Sequence, residues 1–276
     1  MLIKKRFMFL ILAILYAVQS FAQVSISPTS LFIDSQRRFE TILIMNTSDA
    51  PQEVKLTFEF AYPKSDENGN LGLVYDDADE AALHSAADWI RGFPKNFVLE
   101  AGQRQVVRIT AKAPAKIAPG TYWTRLKTTS SALSAPIGNA TEGAIAANIN
   151  IEFNQITSIF YRQGKLTTGL EIKDLRHELE NGQLKVFASV IKSGNSPYLG
   201  TMIGKIYDST GALVKEAKVF VSVYYDGLRR LDVDVTDLPM GSYETEVTFE
   251  SNRTDIPQSN TISVPPVAIR GKFTKL

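Results

Sequence analysis

Cysteine is absent from the 276 residues, which excludes disulfides, thiolate metal sites and cysteine nucleophiles together. Histidine is nearly as scarce. His84 sits in an acidic run and His177 stands between Arg176 and Glu178, so both read as surface residues rather than parts of a catalytic centre. Charge of one sign is lacking too: 30 Lys+Arg against 29 Asp+Glu leave +1, without the basic excess that phosphate neutralisation on a nucleic acid requires. No Gly-x-Ser-x-Gly, P-loop or His-Glu-x-x-His pattern occurs. Paired carboxylates stay open, because sequence spacing does not fix their separation in space. The expectation is a non-enzyme with no cofactor, no metal and no nucleic-acid partner.

What is present begins with an address. Lys4, Lys5 and Arg6 form a basic start, Phe7 to Val18 is apolar apart from the Tyr16 hydroxyl, and Ser20-Phe21-Ala22 puts small residues at the −3 and −1 positions. This is a cleavable signal peptide over residues 1–22, too short in its apolar part for a bilayer span. It predicts export to the periplasm. No later stretch is long and apolar enough to cross a membrane, and the absence of cysteine rules out lipid attachment after the run.

The remaining chain suits two domains, and its hydrophobic pattern has period two. Val54, Leu56, Phe58 and Phe60 alternate with Lys55, Thr57 and Glu59, and the same holds for Val219/Val221/Val223, Leu231/Val233/Val235 and Tyr243/Thr245/Val247/Phe249. Half-buried antiparallel strands alternate in this way. Turn signals separate them: Asn68-Gly69-Asn70, Ala118-Pro119-Gly120, Asn181-Gly182, Asp208-Ser209-Thr210-Gly211 and Pro239-Met240-Gly241. Many short strands so spaced predict an all-β chain of two immunoglobulin-like β-sandwiches. The first is expected over 23–162 and the second, with an extended tail, over 163–276. Asp76 to Gly92 is the exception, a connection with room for a helical turn or two.

Four segments in order resemble the PapD-like periplasmic pilus chaperones. They are Val24-Ser25-Ile26-Ser27-Pro28-Thr29-Ser30-Leu31-Phe32-Ile33-Asp34 with Asn46-Thr47-Ser48-Asp49; Phe97 to Gln103 with Val106-Val107-Arg108-Ile109; Gly120-Thr121-Tyr122-Trp123-Thr124-Arg125-Leu126; and Ile159-Phe160-Tyr161-Arg162. The resemblance covers about residues 24 to 162 and is diffuse beyond. It implies a chaperone that holds incomplete fibre or adhesin subunits by donor-strand complementation. Its seventh strand enters the groove left by the strand the subunit lacks.

Ile145, Ala147, Ile149, Ile151 and Phe153 occupy alternate positions of the matching segment. Counting back from Phe160-Tyr161-Arg162, the resemblance puts the groove-filling side chains at Ile149, Ile151 and Phe153. An internal strand packing in its own sandwich would alternate in the same manner. Where the family carries an Arg and a Lys to anchor the subunit's terminal carboxylate, this chain has Ser30 and Ser158, so no carboxylate-binding pair is assigned. Arg162 matches the family's arginine at the domain junction. Partners implied are subunits, an outer-membrane assembly protein and a weak self-capping dimer. The competing reading is a secreted structural or adhesive two-domain sandwich that binds another protein or a glycan.

Weaker constellations read as structure. Asp66-Glu67-Asn68-Gly69-Asn70 has alternate oxygen ligands but a displaced glycine, and Asp77 stands where a calcium loop needs a bidentate Glu, so a turn between strands is expected. Tyr122 and Trp123 are neighbours in an alternating strand, which predicts one ring in the core and one facing outward.

Overall fold

A computed structural model of the chain describes residues 24–133 and 151–276; the signal segment and the positions of Ile145, Ala147 and Ile149 lie outside the described residues. The described chain forms two immunoglobulin-like sandwiches, as the alternating pattern predicts. In the first, one sheet runs β1 (Val24–Ser27), β3 (Phe39–Asn46), β9 (Arg104–Ala111), β7 (Ile90–Phe93). The facing sheet runs β2 (Ser30–Asp34), β11 (Glu152–Gln163), β10 (Gly120–Ala132), β4 (Gln52–Glu59), β8 (Asn96–Leu99). Val54, Leu56, Ile42, Ile44, Val107, Ile109, Leu126 and Ile159 meet between them, all buried.

The second sandwich stacks β12 (Gly169–Glu180), β13 (Gln183–Ser193) and β16 (Gly227–Asp234) against a sheet of four strands. These are β15 (Leu213–Val223), β14 (Tyr198–Tyr207), β17 (Gly241–Glu250) and β18 (Val267–Lys275), in that order. The alternation in β17 buries Tyr243, Thr245, Val247 and Phe249 together. Asn181 and Gly182 both take positive φ, 51° and 77°, and close the two-residue hairpin between β12 and β13, as a primed turn demands.

A third apolar cluster lies between the sandwiches. In register across one sheet, Phe32, Phe160 and Trp123 form a row on the face opposite Ile159 and Leu126. They join Phe60 and Tyr62 from the first sandwich with Leu199, Tyr224 and Ile256 from the second. This corrects the expectation for the two rings of β10. Trp123 is 3% exposed, and Tyr122 is half-buried against the first core. Neither faces open solvent, because both faces of this sheet are covered.

Between β4 and β7 the chain leaves the sandwich as a ribbon, β5 (Tyr62–Ser65) and β6 (Leu71–Val74), then a short helix, α1 (Ala78–His84). Asp77 caps the helix by accepting from the Glu80 N–H at 3.1 Å, and the acids of the first turn suit its dipole. In the ribbon's turn, Asp66 Oδ1 accepts from the backbone N–H of Asn68 at 2.9 Å and of Asn70 at 2.8 Å. Its carboxylate serves the turn, and among the described residues no cluster of three His, Asp or Glu could hold a metal.

Both histidines depart from the expected surface placement: each is half-buried. His177 stacks on Phe273 at 5.9 Å and shares a 2.6 Å hydrogen bond with the Thr245 hydroxyl. Thr245 in turn donates to Gly271 O at 3.2 Å, which leaves Nε2–H of His177 as the donor. Burial holds the His177 pKa below the usual 6.5, and His84 is lowered the same way. The unfolded chain therefore takes up these protons first. Stability is full above about pH 6.5 and falls as pH drops toward the folded values. The carboxylates held below 3.8, such as Asp208 and Asp234, lose their share in a separate, more acid window. Urea midpoints of the wild type should fall between about pH 7.5 and pH 5.5, and His177→Gln should shrink that fall; an unchanged midpoint would contradict it.

Candidate functional site

The strand singled out by the sequence is β11, and its two edges differ. Toward β10 it is paired along its whole length, from Glu152↔Ser131 to Gln163↔Gly120. Toward β2 it is paired, in parallel, only from Ser158↔Ser30 to Arg162↔Asp34. The Ser158 N–H donates to Thr29 O at 3.0 Å on that side. Because antiparallel ladder groups alternate in direction, the N–H and C=O of Asn154 and Ile156 point the same way, where no strand among the described residues pairs with them.

The side chains follow the same gradient. Ile151, Phe153, Gln155 and Thr157 share one face with Ile159 and Tyr161. Thr157 and Ile159 are sealed in the first core, Gln155 is half-buried, and Phe153 and Ile151 are 38% and 58% exposed. The Gln155 amide donates to Val24 O at 2.5 Å and fills the last covered position. Past it the strand presents apolar side chains together with a backbone edge that no described strand pairs. That combination is what strand addition uses.

At the foot of this edge stand Ser30 and Ser158, paired across the parallel ladder. Charge reaches that point from a residue that reasoning on the sequence passed over. Arg125 of β10 lies in register with Ser158 and donates to its hydroxyl from Nη1. Its Nε donates to Ala61 O at 3.0 Å and its Nη2 to the Tyr224 hydroxyl at 3.1 Å. Arg125 is 4% exposed, and its guanidinium ties β10, β11, the chain just after β4 and the second sandwich into one knot. Its own parity in β10 carries Thr121, Lys127, Thr129 and Ser131, so the sequence reads it as one more solvated side chain.

Arg162, at the end of β11, lies over the Phe32 ring at 4.3 Å and donates to Asn260 O of the second half at 2.6 Å. Arg37 reaches the Asn260 side chain at 3.3 Å. Burial, opposed in part by Asp34, pulls the Arg162 pKa down to about 10.

No family model matches the chain, and no curated protein matches it. Solved structures similar to it include several chaperones. The YadV chaperone is 13% identical, covers 92% of this chain and 100% of its own, and has a TM-score of 0.41. The E. coli chaperone DraB is 12% identical over 92% and 95%, at 0.42. The Salmonella enterica SafA pilin in complex with the SafB chaperone matches at 12% over 91% and 98%, at 0.41. At such identities and scores the likeness says nothing of what this chain binds.

The angle between the sandwiches is braced by the ribbon. Ser65 Oγ accepts from the Leu228 N–H at 3.0 Å, and Arg230 Nη1 donates to Asn68 O at 2.9 Å and Asn70 Oδ1 at 2.8 Å. Gly69 permits the approach: its φ is +71°, and a Cβ there would stand 2.7 Å from Arg230 Cβ and 3.4 Å from the Phe187 ring. Gly69→Ala should lift the ribbon off β13 and β16 and cost about 1–3 kcal/mol. Small-angle scattering should show a larger radius of gyration; an unchanged curve would mean the ribbon braces nothing.

Proposed function

We propose that the chain is a periplasmic chaperone that captures incomplete surface-fibre or adhesin subunits by donor-strand complementation. It would be exported by the signal segment 1–22 and built of domains 23–162 and 163–276. The observation that carries this reading is the edge of β11. Over Glu152–Thr157 the backbone faces outward without a strand beside it among the described residues, and Ile151 and Phe153 project apolar groups next to it. An incoming subunit strand would lie collinear with β2 and end near Ser30, Ser158 and Arg125. Ile145, Ala147 and Ile149 would extend the same alternating row. Arg162 would keep the second sandwich in place while the edge is loaded. Capture of this kind needs no catalytic group, cofactor or metal, since backbone hydrogen bonds and apolar burial supply the affinity.

The test is co-purification. The mature protein, tagged at its C-terminus, should bring down a stoichiometric β-rich subunit from a periplasmic extract, identified by mass spectrometry. Recovery of the chain alone, monomeric and stable at every salt concentration tried, would transfer support to the structural or adhesive reading.

A further inference from the structure

A cavity of about 570 Å³ opens where α1 and β5 of the first half meet the turn after β15 of the second. Its wall carries three carboxylates. Asp77 accepts the Tyr62 hydroxyl at 2.6 Å and feels the charge of Lys64. Asp226 lies beside Lys192, whose ammonium is already held by Gly194 O at 2.7 Å. Glu80 is different, because both of its partners are neutral. Its Oε2 accepts the Tyr225 hydroxyl at 2.5 Å and stands 3.7 Å from His84 Nε2. Burial, opposed in part by Glu80 and aided by Lys192, holds that imidazole's pKa below the usual 6.5. A carboxylate offers about four acceptor positions, so Glu80 retains capacity toward the cavity. Exposed Asp76 and Asp79 add negative charge on the same turn of chain.

The rest of the wall is aromatic. Tyr225 is half-buried and edge-on to Tyr62 at 4.6 Å, and His84 stacks on Trp123 at 4.8 Å. The Trp123 indole lies beneath His84, its N–H sealed from the cavity and without an acceptor among the described residues. The site therefore combines a carboxylate whose contacts are a tyrosine hydroxyl and an imidazole with a ring to stack on.

We propose that this cavity binds the arginine side chain of a protein segment, its guanidinium paired with Glu80 and laid against Tyr225. A planar guanidinium meets both demands at once, forking onto a carboxylate and stacking on a ring, where a lysine ammonium meets only the first. A neutral sugar would leave Glu80 uncompensated. The proposal is independent of strand capture, since the site contains neither Ile151 nor Phe153.

The test uses the full mature chain and N-acetyl-arginine amide, read by the indole N–H resonances in a ¹H–¹⁵N spectrum, with Trp89→Phe assigning Trp123. The expected result is a saturable shift of Trp123 with a Kd on the order of 1 mM. The citrulline amide, equal in shape but uncharged, and N-acetylglucosamine should each bind about tenfold more weakly or not at all. Glu80→Gln should weaken arginine binding about tenfold, and Tyr225→Phe, which keeps the ring, should retain it. No saturable shift, or equal responses to arginine and citrulline on the wild-type protein, would overturn the proposal without reliance on any variant's folding.

Discussion

Ile151→Asp combined with Phe153→Asp should abolish subunit capture while the chain stays folded. Each side chain is substantially exposed in the free protein, and each would be buried in a groove once a subunit is bound. Burial of one such side chain contributes about 1.5–3 kcal/mol, so losing both removes about 3–6 kcal/mol, or roughly 10²- to 10⁴-fold in affinity. Desolvating two carboxylates in the groove adds to the loss. In the free chain the same changes should cost no more than about 1 kcal/mol, since the strand's own core ends at Thr157 and Gln155. Pull-down yield and the urea midpoint separate the two effects. A variant that unfolds would make Phe153 a core residue of its own sandwich, and a variant that binds normally would remove these positions from the docking surface.

Arg125→Ala should produce the largest loss of stability of any single change at the junction. Three donors of the guanidinium hold Ala61 O, the Ser158 hydroxyl and the Tyr224 hydroxyl, and truncation leaves those groups facing a cavity. Hydrogen bonds from a charged donor contribute about 1.5–3 kcal/mol, and unsatisfied buried partners cost about 1–3 kcal/mol each. A net loss of about 3–5 kcal/mol is expected. Arg125→Lys should recover little of it, because one ammonium cannot span three acceptors lying in different directions. A urea midpoint within experimental error of the wild type for either variant would show that the knot is dispensable.

The parts legible in the sequence were those set by neighbours along the chain. Alternation named the buried face of β4 and β17, and Asn181-Gly182 marked its hairpin, because period and turn chemistry are local. The departure of β11 from its sandwich was half legible: Ile151 and Phe153 alternate with polar residues, but only the end of β2 at Ser30 shows where pairing stops. Contacts between distant segments were not legible. Strand parity puts Trp123 and Tyr122 in opposite environments, yet a second sandwich covers the outer face. His84 and His177 looked exposed beside charged neighbours, while their partners, Trp123 and Thr245, stand far away in sequence. Arg125 gives no signal, because it stands in line with the polar Lys127 and Thr129 on one face of β10.

The open edge can be tested residue by residue. Amide hydrogen exchange at Asn154 and Ile156, compared with Phe153 and Gln155 on the same strand, should be measured in the free chain and in complex with a co-purified subunit. Asn154 and Ile156 should exchange fast when the chain is alone and become protected in the complex, while Phe153 and Gln155, bonded to β10, stay protected throughout. Equal protection of all four in the free chain, or fast exchange at Asn154 and Ile156 in the complex, would contradict strand capture at β11.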